Sequence, residues 1–172
     1  GLEAADYVAK DICYGVDGTT YKLYHKDEFV TEVRLIVPGR HNVLNSVGAF
    51  VAAREMGIAD ETILKALEQF GGAKRRFETK GKVNGVWVVD DYAHHPTEIE
   101  VTLKAARQTQ PKRLLCLFQP HRYTRTQLLF KEFCNCFNDC DEVILTDIYA
   151  ASENPIPGIT SEALAEGISK AT

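Results

Sequence analysis

The chain has 172 residues, enough for one complete domain or two incomplete ones. With 45% hydrophobic and 26% charged residues it has an ordinary globular balance, which argues against intrinsic disorder. Twenty basic against 24 acidic side chains leave a net charge of −4, the wrong sign for a general nucleic-acid or anionic-membrane binder. A local basic pocket for a phosphate or carboxylate is still compatible with that balance.

No apolar run approaches the ~20 residues of a membrane span, and no signal-peptide pattern opens the chain. The five cysteines are Cys13, Cys116, Cys134, Cys136 and Cys140. An odd count with a C-x-C-x3-C cluster fits neither a secreted disulfide framework nor the C-x2-C pairs of zinc sites. They read as buried or helix-surface thiols in a reducing, cytoplasmic compartment. The chain opens at Gly1 without an initiator Met and stops at Lys170-Ala171-Thr172 just after a helical pattern. It therefore reads as a piece of a longer protein.

Residues 6–37 alternate well enough for two or three antiparallel strands, turned at Asp17-Gly18 and near Lys26-Asp27, with the opening residues helical or frayed. Pro38-Gly39 ends the sheet. A helix is predicted from Asn42 to about Met56, with Val43, Val47, Phe50 and Val51 on one stripe and Ala49, Ala52 and Ala53 allowing close packing. Asp60 is predicted to cap a second helix to about Phe70, whose apolar face is Ile63, Leu64, Leu67 and Phe70. A domain boundary is placed at Gly71-Gly72. Beyond it, residues 75–90 read as two strands turned at Asn84-Gly85. Pro96 lies in the first turn of a helix to about Gln108. Buried-type strands are predicted at 113–119 and 142–149, with helices over 124–138 and from about Ser161. This order predicts an α/β class, with a Rossmann-like, mostly parallel sheet covered on both faces. Ligands of such sheets bind beyond the strands' carboxyl ends, where the polar clusters Asp90 to His95, Gln119 to Arg125 and Tyr149 to Glu153 fall.

Several strings carry chemistry. In "GRHNVLNSVGAFVAA", Asn42 and Asn45 share a helix face, and a carboxamide can pair with an adenine edge. The alternative is a helix cap at Asn42 and a solvated Asn45. In "GGAKRRFE", Arg75 or Arg76 could grip phosphate oxygens, or the cations could form a solvated linker. In "DDYAHHPTE", the residues Asp90, Asp91, His94 and His95 could chelate a metal, hold a ribose diol or exchange protons. In "FQPHRYTRT", His121, Arg122 and Arg125 enter a helix start that suits a carboxylate or phosphate. The pattern G-x-x-x-x-G-K-[ST] occurs nowhere in the chain, since Gly81-Lys82 is followed by Val83.

Taken in order, these strings resemble the Mur ligases of bacterial cell-wall synthesis, from about Gly39 to Gly158. "DDYAHHPTE", "FQPHRYTRT" and "YAASENPIPG" resemble those of the member that adds L-alanine to UDP-N-acetylmuramate. Ser152 stands where the resemblance leads one to expect glycine. The resemblance implies that residues 1–72 are the strand and two-helix tail of a P-loop-type central ATPase domain. Residues 73–172 would be most of a C-terminal Rossmann-like domain. It implies ATP-dependent amide formation through an acyl phosphate, with Mg²⁺ held by residues outside this chain, which alone would be inactive. It places Asn42 and Asn45 against adenine, Arg76 on the ATP phosphates and Asp91 on the ribose. Tyr92, His94, Arg122 and Arg125 would surround the amino acid, with His41, His95 and His121 in support. The implied partners are UDP-N-acetylmuramate and L-alanine, without nucleic acid or membrane. Beside this stand two other readings: a metal-dependent hydrolase built on Asp90, Asp91, His94 and His121, and a non-catalytic nucleotide-binding module.

Overall fold

The structure, a computed structural model, describes residues 1–2, 5–15 and 18–171. It divides into two compact units, Gly1–Asp91 with Gln108–Gln110, and Tyr92–Arg107 with Pro111–Thr172.

In the first unit, strands β1 (Tyr7–Gly15), β2 (Gly18–His25) and β3 (Glu28–Leu35) pair antiparallel in the order β1-β2-β3. The β2–β3 turn has Lys26 and Asp27 at φ 48° and 67°, the left-handed pair that matches the twist of a two-residue hairpin. The β1–β2 turn expected at Asp17-Gly18 lies partly outside the described residues, because Asp17 is not among them. Alternation sends Tyr21, Leu23, Val33 and Leu35 inward, where they meet helices α1 (Arg40–Glu55) and α2 (Asp60–Gln69) through Val43, Val47, Phe50 and Ile63. Buried hydroxyls in this core are satisfied: Tyr21 and Ser46 hydroxyls lie 2.8 Å apart, Ser46 also donates to the Val43 carbonyl, and Thr19 donates to the Val37 carbonyl.

Several helix expectations need correction. Ala49, Ala52 and Phe70 are exposed rather than packed. Ala59, not Asp60, is the N-cap of α2. Asp60 is the first helical residue, and its carboxylate is drawn to Arg54, 3.2 Å away. There it still faces the positive end of the helix. Strands β4 (Glu78–Val83) and β5 (Val86–Asp90) form the expected hairpin, with Asn84 and Gly85 at φ 51° and 79°.

The second unit is α/β in class. Helix α3 (Pro96–Gln108) leads to β6 (Leu115–Phe118), α4 (Tyr123–Leu128), α5 (Phe130–Asn135), β7 (Glu142–Leu145) and α6 (Ser161–Ala171). β6 and β7 run parallel, Leu115 opposite Glu142 and Phe118 opposite Leu145, and a further parallel bridge joins His121 to Tyr149. Ile99, Leu103, Phe118, Phe133, Phe137, Leu164 and Ile168 form the core. The helix predicted over 124–138 is two helices, divided at Leu129 (φ −111°). The Thr126 hydroxyl bonds back to the Arg122 carbonyl at 2.9 Å, a contact that bends helices. The strands are also covered on one face rather than both, since Leu115, Leu117 and Ile144 are exposed.

Helices α5 and α6 approach closely at Gly167, where an added methyl would lie 2.5 Å from Cys134 Sγ and 3.3 Å from the Phe130 ring. Gly167→Ala gains ~1 kcal/mol of helix propensity but meets an overpacking cost of ~1–3 kcal/mol. A net loss in urea unfolding is expected, with part of it recovered in the Gly167→Ala/Cys134→Ala double variant. A stabilised Gly167→Ala chain would contradict this packing.

Candidate functional site

The candidate residues fall into two groups, one in each unit. The first holds His41, Asn42, Asn45, Arg76 and Asp91; the second holds Tyr92, His94, His95, His121, Arg122 and Arg125. The "DDYAHH" string is thus divided, with Asp90 and Asp91 in the first unit and Tyr92 onward in the second.

In the first unit, Gly39 (φ 102°) turns the chain from the sheet into α1. The Asn42 carboxamide donates to the Pro38 carbonyl at 2.7 Å, fixing that turn and leaving its oxygen to accept. Asn45 is exposed farther along the same helix. In "KRRFE", Arg75 and Phe77 take φ of 55° and 50°, strained for residues with side chains. The conformation is held by two carboxylates. Glu78 accepts from the Arg75 N–H and Asp91 from the Phe77 N–H, both at 2.8 Å. Arg75 also lies 3.7 Å from Asp90, whereas the Arg76 side chain is exposed. His41 senses the same residues. Desolvation lowers its pKa from the ordinary 6.5, the Asp91 carboxylate raises it and Arg76 lowers it again. The net effect is downward, so the ring is neutral at pH 7.

In the second unit, Pro96 opens α3 and Glu98 reaches back to its start, its carboxylate accepting from the His94 and His95 N–H groups at 3.1 and 3.3 Å. Glu98 stands three residues after His95, the spacing of such a cap, which the sequence reading did not single out, and its consequence is to fix both histidine backbones. His94 Nδ1 lies 3.0 Å from the Tyr92 carbonyl, which only accepts, so Nδ1 carries the proton and Nε2 remains an acceptor in the neutral ring. The Tyr92 ring stands edge-on to His94 at 5.2 Å.

The loops after β6 and β7 interlock. Tyr149 N–H donates to the Pro120 carbonyl and Arg122 N–H to the Tyr149 carbonyl, each at 2.8 Å. The Glu153 carboxylate then accepts from both the N–H (3.0 Å) and the hydroxyl (2.7 Å) of Thr124 at the start of α4. The α4 start, expected to attract an external anion, is therefore capped by the chain's own carboxylate. Glu153 was visible only as a member of a polar cluster, because its capping partner is distant in sequence. To reach back, Ala151 and Ser152 take φ of 48° and 69°, so Ser152 adopts the backbone that glycine would favour. Arg125 directs Nη1 to His121 Nδ1 at 3.5 Å, making that nitrogen the acceptor. The His121 pKa is lowered by desolvation, then by Arg125, Arg122 and His94, with Glu153 opposing. The group thus combines two guanidinium ions with neutral imidazole. Among the described residues, no group of three or more His, Cys, Asp or Glu side chains is arranged to hold a metal ion.

Comparison with known proteins gives the family. The family model described as Mur ligase, glutamate ligase domain matches residues 75–172, and the chain belongs to the Mur ligase family. Among curated relatives, UDP-N-acetylmuramate–L-alanine ligase of Syntrophus aciditrophicus (strain SB) is 50% identical over 173 residues, 100% of this chain and 36% of that protein. The enzyme of the same name from Anaeromyxobacter sp. (strain Fw109-5) is 49% identical over 95% of this chain and 36% of its own length. The chain thus spans little more than a third of these relatives. The crystal structure of the UDP-N-acetylmuramate-alanine ligase of Thermotoga maritima superposes with a TM-score of 0.83 at 25% identity, covering 99% of this chain and 36% of that one. Folylpolyglutamate synthase of the same organism shares the fold, with a TM-score of 0.69 at 17% identity over 97% of this chain and 38% of that one. Fold alone therefore does not select the substrate. No helix among the described residues is long and apolar enough to cross a membrane.

The first group makes a direct electrostatic prediction. In NMR titrations, Asp91→Asn should lower the His41 pKa further and Arg76→Ala should raise it. Shifts in the opposite directions, or none, would separate these residues.

Proposed function

We propose that the chain is the end of the central domain (residues 1–72) and most of the C-terminal domain (residues 73–172) of an ATP-dependent ligase. The reaction joins L-alanine to UDP-N-acetylmuramate in peptidoglycan synthesis. The observation that carries the amino-acid half of this reading is the His121, Arg122 and Arg125 group, locked by the 149–153 loop. Because Glu153 already occupies the start of α4, an incoming carboxylate is left to the guanidinium groups. Arg122 and Arg125 grip the amino-acid carboxylate, each able to form charge-assisted hydrogen bonds. Tyr92 and His94 flank the amino acid, and His95 supports their turn through the Glu98 cap. His121 stays neutral beside the arginines, its Nδ1 accepting from Arg125, so it adds no third positive charge to the group.

In the first unit, Asn42 and Asn45 face adenine, Asp91 takes the ribose, and Arg76 meets the phosphates, with His41 neutral beside them. Bound ATP with Mg²⁺ supplies the phosphoryl group that activates the acceptor carboxylate. The metal ligands and the phosphate-cradling lysine belong to sequence outside these residues, so the chain by itself is inactive. The enzyme is cytoplasmic.

In a full-length ligase carrying this segment, Arg122→Ala should raise the KM for L-alanine by about 10- to 100-fold, from the ~1.5–3 kcal/mol of a hydrogen bond to a charged group, and leave that for ATP little changed. Equal effects on both substrates would remove Arg122 from the amino-acid site.

A further inference from the structure

Arg122 enters α4 with a backbone that its own side chain opposes. Its φ of 74° and ψ of 135° are costly for any residue that bears a Cβ. Gly39, the residue before α1, has nearly the same conformation, φ 102° and ψ 139°, and meets it without a Cβ. Arginine thus stands where the backbone favours glycine, and its side chain makes no capping bond to α4 in return. We infer, resting on the proposed reading of Arg122 as a carboxylate ligand, that Thr126 is a positioning residue. It holds Arg122 in this strained conformation and so aims the guanidinium at the amino acid.

The two peptide groups that flank Arg122 are both held. On one side its N–H donates to the Tyr149 carbonyl at 2.8 Å, and the His121 carbonyl accepts from Arg125 Nη1 at 3.4 Å. Tyr149 is itself tied down, since its N–H donates to the Pro120 carbonyl and it bridges in parallel to His121. On the other side the Arg122 carbonyl accepts twice from Thr126, from the N–H at 3.1 Å and from the hydroxyl at 2.9 Å. Peptide groups are planar, so fixing both planes fixes φ, ψ and the direction of the Cα–Cβ bond between them.

Thr126 is fully buried, so its hydroxyl has no water to bond in place of that carbonyl. Without the hydroxyl, the second peptide plane is held by a single N–H at the frayed end of a six-residue helix. Arg122 then relaxes towards negative φ, and its side chain turns away from the direction it now has. A strained residue kept where glycine would be easier is expected where the side chain itself is needed. Thr126 therefore acts on the amino acid through Arg122, and the phosphate-activating half of the reaction does not depend on it.

The test uses a full-length ligase carrying this segment, with KM and kcat measured separately for L-alanine and ATP. Thr126→Val keeps the branched shape and removes only the hydroxyl. It should raise the KM for L-alanine about 3- to 10-fold, from the loss of one hydrogen bond, with kcat and the KM for ATP little changed. Thr126→Ser restores the hydroxyl and should return the KM towards its original value. In an Arg122→Ala background, Thr126→Val should raise the KM for L-alanine no further. The strain is read without substrate: Arg122→Gly should melt at a higher temperature than the unsubstituted enzyme, although glycine's freedom in the unfolded chain acts the other way. An equal or lower melting temperature would overturn the inference, even if Thr126→Val did not fold. An unchanged KM for L-alanine in Thr126→Val, an equal rise for both substrates, or no rescue by serine would overturn it too. If Arg122→Ala raises the KM for L-alanine while Thr126→Val does not, only the positioning role falls. If Arg122→Ala leaves that KM unchanged, the carboxylate reading falls and takes the positioning role with it.

Discussion

Parallel pairing of β6 with β7 sends the chain out of both strands at the same edge, and the candidate amino-acid site depends on that constraint. Two successive backbone hydrogen bonds continue the pairing beyond the strands, from Tyr149 to Pro120 and from Arg122 to Tyr149. Glu153 completes the junction on Thr124. Its carboxylate meets the donors that a helix start leaves unpaired, and consecutive left-handed residues at Ala151 and Ser152 bring it there. In the proposed function, an external anion is therefore left to the side chains of Arg122 and Arg125 rather than to the helix backbone.

Both groups of candidate residues pair a depressed histidine with arginine. At His41 and His121 desolvation is the largest cause, and neighbouring guanidinium groups act in the same direction. A neutral imidazole can accept a hydrogen bond without adding to the local positive charge. The carboxylates divide the remaining work: Asp91 and Glu78 hold the strained "KRRFE" turn, while Glu98 and Glu153 cap α3 and α4. These acidic residues shape the backbone that presents the arginines and histidines.

Features set by short-range chemistry were legible in the sequence. Asn84-Gly85 specified a hairpin, Pro96 opened a helix, and the apolar spacing of Val43, Val47 and Phe50 identified the packed stripe of α1. Features that depend on which of several competing contacts is made were not. Arg54 competes for Asp60, a hydroxyl-to-carbonyl bond at Thr126 precedes the break at Leu129, and the exposed faces of Leu115 and Leu117 depend on which elements cover the strands. The candidate residues themselves were named from their strings, but their local engagements were not. The Asp91 oxygen spent on Phe77 and the closure of α4 by Glu153 require contacts between segments, whereas the Asn42 amide turns back only four residues to Pro38.

The proposed function is that of an enzyme that consumes L-alanine at the expense of ATP. It is tested most directly by phosphate release from a full-length protein carrying this segment, supplied with ATP, Mg²⁺ and UDP-N-acetylmuramate, with and without L-alanine. Release that requires L-alanine, and is absent from the 172-residue chain alone, is the expected result. Release indifferent to L-alanine would contradict the account and leave Arg122 and Arg125 in need of a different carboxylate.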